Sequence, residues 1–93
     1  MKQFKEGLNT AVFTTRFIIE DGEPITSVLH YEDGSWQFSG DQTDLTDSDY
    51  KVISLGQALN LDDTISELSD MSIGFAAFRN GKNDKWKIEP LTD

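Results

Sequence analysis

Residues 25–40 constrain the fold more than any other stretch, because two alternating segments meet there at Asp33-Gly34 and large apolar side chains gather on one face. Asp-Gly between alternating runs signals a tight hairpin. With Asp33 and Gly34 as its two central residues, Tyr31 opposes Trp36 and Leu29 opposes Phe38, and Ile25 extends the same face. The rings therefore belong to a hydrophobic layer. A chain of 93 residues, 37% of them hydrophobic, supplies material for one such core and hardly for two, so a single domain is expected.

The flanking segments supply further strands and helices. Residues 11–19 are rich in β-branched and aromatic side chains, with bulk on both faces, and read as an inner strand. Glu20-Asp21-Gly22-Glu23-Pro24 stops it, and a hairpin to Ile25 is the simplest connection. Residues 41–49 carry Asp41, Asp44, Asp47 and Asp49 with Leu45 as the sole clearly apolar residue, the composition of a solvated loop. Lys51-Val52-Ile53 forms a short strand. Ser54 and Gln57 have capping-box spacing ahead of a helical stripe of Leu55, Ala58 and Leu59. A second short helix runs from Asp63 or Thr64 to Asp70, with Thr64 and Glu67 as a capping pair and Ile65, Leu68 and Met71 on one face; one bent segment is the alternative. Residues 73–79 and 86–89 return to a strand pattern. A tight Asn80-Gly81 turn would strand Ile88, so a longer loop through Asp84 is favoured, which opposes Phe78 with Trp86 and Ala76 with Ile88. Pro90 ends the last strand.

This order predicts an α+β fold: a mostly antiparallel sheet of five or six strands with one or two short helices packed on one face. Residues 1–10 read as an N-terminal extension, 11–90 as a single α+β domain and 91–93 as a C-terminal tail.

Charge narrows the function. Seventeen acidic against eight basic residues give a formal charge of −9, which repels the phosphate backbone that a nucleic-acid binder must neutralise. Nucleic acid and anionic membranes are thus poor partners, whereas a basic protein is electrostatically suitable. With no cysteine, disulfides, thiolate nucleophiles and cysteine-based metal sites are excluded. No segment is apolar for long enough to span a membrane, the start of the chain lacks the apolar run of a signal peptide, and a cytoplasmic location is expected.

The chemistry-bearing residues are few. His30 is the single histidine, and in the hairpin register above it opposes Gln37, away from Trp36, as a strand-surface residue or a proton carrier if the fold supplies a partner. Asp41, Asp44, Asp47 and Asp49 lack the spacing of a calcium loop and read as a solvated loop or as a surface that attracts Lys and Arg. Arg16 and Arg79 would form a carboxylate or phosphate clamp if they converge, and ion pairs with neighbouring acids otherwise. Ser54 and Ser66 have cap or surface explanations, no order of Ser, His and acid marks a hydrolase, and the glycines form no phosphate cradle. No cofactor and no metal are expected.

Val12-Phe13-Thr14-Thr15, Pro24-Ile25, His30, Asp33-Gly34-Ser35-Trp36-Gln37-Phe38, Val52-Ile53-Ser54-Leu55-Gly56 and Phe75-Ala76-Ala77-Phe78-Arg79 followed by Trp86 span most of the chain after residue 10. In these residues the sequence resembles a small bacterial domain family of unknown function, related to predicted immunity proteins of polymorphic toxin systems. The resemblance implies a nonenzymatic protein that binds and neutralises a toxin, and it transfers no catalytic constellation. The expectation is an acidic protein-binding domain, with Asp41, Asp44, Asp47 and Asp49 as interface residues. The alternatives are a small hydrolytic or ligand-binding enzyme built on His30 or on Arg16 and Arg79, and a structural or regulatory domain that self-associates through a sheet edge.

Overall fold

The computed structural model describes residues 3–91. Met1 and Lys2 of the expected extension, and Thr92 and Asp93 of the expected tail, lie outside the described residues. Six strands, β1 (Ala11–Thr15), β2 (Ser27–His30), β3 (Trp36–Ser39), β4 (Tyr50–Ser54), β5 (Phe75–Phe78) and β6 (Lys87–Pro90), form one sheet in the order β4-β1-β3-β2-β5-β6. The pair β1 and β3 is parallel and every other pair antiparallel, so the fold is α+β with a mixed, mostly antiparallel sheet.

Helices α1 (Arg16–Asp21) and α2 (Leu55–Leu61), with a 3-10 segment Asp63–Leu68, cover one face. Their buried residues Ile18, Leu55, Ala58, Ile65 and Leu68 join Val12, Val28, Trp36, Phe38 and Ala77 of the sheet in one cluster. Phe4 packs on that cluster, with its ring edge-on to Trp36 at 5.1 Å and to Phe38 at 6.3 Å, so the segment before β1 contributes to the core. The Ser54–Gln57 capping box forms as its spacing predicts: Gln57 N donates to Ser54 Oγ at 3.1 Å and Ser54 N donates to Gln57 Oε1 at 2.9 Å.

Four expectations are corrected. The strand expected over 11–19 ends at Thr15, where α1 begins, and Gly22, at φ +69°, closes the helix with its N–H on Phe17 O. The helical turn brings Ile18 into the core and leaves Ile19 exposed; tertiary packing overrides the β-propensity of this run. Consequently β1 makes no hairpin with the segment after Pro24; its neighbours are β3 and β4.

The central hairpin is shifted by one residue from the expected register: His30 pairs with Trp36, Leu29 with Gln37 and Val28 with Phe38. Both favoured two-residue turns need positive φ at the first central position, which Asp33 does not have; only Gly34, at +91°, has it. The Asp33 carboxylate instead accepts from Ser35 N and Oγ at 2.9 and 2.7 Å. Gly34 N donates to Tyr31 O and Tyr31 N to Ser35 O, which is a three-residue loop with a glycine bulge. Because side chains alternate, this one-residue slip carries His30 onto the Trp36 face and Leu29 and Tyr31 off it.

The second helix is the 3-10 segment, and its cap is Asp62, which accepts from Thr64 N at 3.0 Å, rather than Thr64 itself. The longer β5–β6 loop is present, but Phe78 pairs with Lys87 and Ala77 with Ile88. Trp86 lies just outside the ladder, with its ring 4.0 Å from the Arg79 guanidinium in a cation–π contact.

Candidate functional site

The registers align one residue from each strand in a row across the uncovered face: Val52, Phe13, Gln37, Leu29, Ala76 and Glu89. Val52 at 62% exposure, Phe13 at 41% and Tyr50 at 39% leave apolar surface open to water on the β4–β1 side of this face, and Phe78, at 39%, is exposed on β5, three strands from Phe13. The β4–β1 surface exists because β1 and β4 alternate with bulk on both sides: Val12 and Ile53 pack under the helices while Phe13 and Val52 face away. Tyr31 Oη donates to Gln37 Oε1 at 2.9 Å and fixes the polar residue in the middle of the row. Partial burial holds the Tyr31 phenol above its ordinary pKa.

Residues 41–49 link the end of β3 to the start of β4 and cross the end of β1 that lies between those strands. Asp41, with Gly40 and Gln42, borders a recess of about 270 Å³ with Ser27 and Phe78, which places the beginning of the acidic loop beside Phe78. Asp41, Asp44 and Asp47 are exposed. Asp49 differs: Thr46 N donates to its Oδ2 at 2.9 Å and Arg16 Nε to its Oδ1 at 2.8 Å. The backbone bond from Thr46, then the Arg16 guanidinium, hold this carboxyl below the ordinary 3.8. Asp49 therefore anchors the loop, and Asp41, Asp44 and Asp47 remain as its open carboxylates. Among the described residues no group of three or more His, Cys, Asp or Glu side chains could hold a metal ion.

Arg16, His30 and Arg79 have no hydrogen-bond partner in common. Arg16 bonds Asp49 and lies 4.2 Å over the Phe17 ring. Arg79 is buried, with Nη2 on Asp62 Oδ2 at 2.8 Å, Nη1 on Thr64 Oγ1 and Lys82 O, and Nε on Ile25 O. It ties β5 to the 3-10 segment and to the loop ahead of β2. His30 is buried on the helix-covered face, stacked on Trp36 at 3.7 Å with its Nδ1 2.8 Å from Met71 O. Ser54 caps α2, and Ser66 lies half-buried on the 3-10 segment.

Sequence reasoning missed the exposure of Phe13, Val52 and Phe78, although the two-sided bulk of residues 11–15 was the available signal for the first of them. No protein-family model, no curated protein and no solved structure matches the chain. No helix among the described residues is long and apolar enough to cross a membrane.

Proposed function

We propose that this chain is an acidic, nonenzymatic protein-binding domain that docks a basic protein on its open sheet face. The observation that carries the reading is the exposure of the paired Val52 and Phe13 and, further along the sheet, of Phe78, with the exposed carboxylates of the 41–49 loop at one strand end. Apolar anchors inside a charged rim are the usual anatomy of a protein interface: the rings supply affinity, and the rim supplies encounter rate and partner choice. A formal charge of −9 extends the attraction to any basic surface.

The resemblance to predicted toxin-immunity proteins gives this docking its particular role, the neutralisation of a basic bacterial toxin in the cytoplasm. Neutralisation requires no reacting groups in the domain, only a face that occludes the toxin.

The test is affinity capture from the native cell with wild-type protein, Val52→Asp and the pair Asp41→Lys/Asp44→Lys, each confirmed folded by circular dichroism. One specific basic protein is expected on the wild type, weakened by high salt, lost with Val52→Asp and reduced by the charge reversal. Equal capture by all three proteins, or no specific capture across growth states, contradicts the proposal.

A further inference from the structure

On the helix-covered side, near the end of β2, a recess of about 360 Å³ is bordered by Glu6, His30, Trp36, Ser69 and Met71, with Lys5, Asp70, Ser72 and Ile73 around it. It shares neither residues nor face with the docking surface. His30 at its wall is only 7% exposed. A carbonyl oxygen can only accept, so the 2.8 Å contact with Met71 O places the ring proton on Nδ1 of the neutral imidazole. The Nε2 lone pair is then an acceptor, and among the described residues it has no hydrogen-bond partner. The ring cannot turn to satisfy it: the stack on Trp36, 3.7 Å away and 13° from parallel, holds its plane. Trp36 is held in turn, since its Nε1 donates to Glu6 Oε2 at 2.9 Å.

The recess thus presents two acceptors at its wall, the Nε2 atom of the largely buried His30 and the Glu6 carboxylate that also holds Trp36, with Ser69 beside them. The border carries two carboxylates, Glu6 and Asp70, against the single ammonium of Lys5, so a complementary ligand is small and carries N–H donors and positive charge. We infer that this recess binds a primary ammonium group, with one N–H donating to His30 Nε2 and another to the Glu6 carboxylate. Charge-assisted hydrogen bonds of this kind are about twice as strong as neutral ones, and the buried side of the site strengthens them further. The inference is independent of the docking face.

As the single histidine, His30 gives an unobstructed imidazole signal in ¹⁵N-edited NMR, and the probe is propylammonium, titrated at about pH 8, above the ordinary histidine range. Two controls accompany it: tetramethylammonium, which carries the charge without N–H donors, and propanol, which carries a donor without the charge. The expected result is an Nδ1-protonated tautomer in the free protein and a saturable shift of Nε2 with propylammonium alone. Glu6→Gln keeps an acceptor for Trp36 Nε1, so the ring stack survives, and it weakens propylammonium binding about tenfold. No saturable Nε2 shift, an equal response to tetramethylammonium, or undiminished binding by folded Glu6→Gln overturns the inference.

Discussion

Asp62→Ala removes the carboxylate that neutralises a buried guanidinium, and its cost follows from the geometry. Arg79 Nη2 and Asp62 Oδ2 are 2.8 Å apart with both side chains almost fully buried. The remaining Arg79 partners, Ile25 O, Lys82 O and Thr64 Oγ1, are neutral. Deleting one member of a buried pair leaves an uncompensated charge and costs about 3–5 kcal/mol, against a total domain stability of about 5–15 kcal/mol. For a domain of this size each kcal/mol lowers the melting temperature by about 4–8 °C, so a drop of roughly 12 °C or more is expected. Asp62→Asn separates two contributions, because an amide oxygen still caps the 3-10 segment through Thr64 N while the charge is gone. Urea unfolding followed by far-ultraviolet circular dichroism measures each variant, with the slope checked for constancy. The pair Asp62→Leu/Arg79→Met should lose less than the sum of its single changes by at least about 2 kcal/mol. A loss under about 1 kcal/mol for Asp62→Ala, the range of solvent-exposed pairs, would refute the reasoning, since it would mean that the guanidinium reaches water.

Two further outcomes follow from the backbone and from the acidic loop. Gly74, at φ +81°, bonds His30 O through its N–H, and an added Cβ would lie 2.7 Å from the movable end of Glu32. Gly74→Ala should therefore cost about 1–2 kcal/mol in urea unfolding, mainly for the left-handed backbone, while Gly81→Ala, in open space with ordinary φ, changes little. The folded-state pKa of Asp49 is depressed, so its stabilisation is present above the unfolded carboxylate value of about 3.8 and is lost as pH falls through the lower folded value. Melting curves should show wild type above Asp49→Asn at neutral pH, with the gap closing below pH ~4; a constant gap contradicts the assignment.

The parts of this fold legible in the sequence are those that neighbouring residues decide. The Ser54–Gln57 cap, the apolar stripe of α2 and the burial of Trp36 and Phe38 each rest on spacing within a few residues. The parts that were not legible depend on a single backbone dihedral or on distant partners. Asp33-Gly34 suits both a two-residue turn and a three-residue loop with a glycine bulge, and the choice between them decides which face His30 occupies. Arg79 and Asp62 are 17 residues apart and meet only because β5 and the 3-10 segment pack together. Helix α1 was hidden by the β-branched and aromatic content of residues 11–19, and Thr15 at its N-cap makes no side-chain cap bond. The candidate interface was half visible: the carboxylates of 41–49 stand in one run, whereas the row across the open face needs the strand order and the parallel pairing of β1 with β3 before Phe13 and Leu29 flank Gln37.

The division of the sheet into a filled face and an open one is tested most directly by solvent paramagnetic relaxation, using a soluble gadolinium chelate on the isotope-labelled protein. Strong enhancement is predicted for the Val52 methyls and the Phe13 and Phe78 rings, and weak enhancement for Val28, Trp36 and Phe38. Equal protection of both sets, or a reversal of the order, would contradict the account.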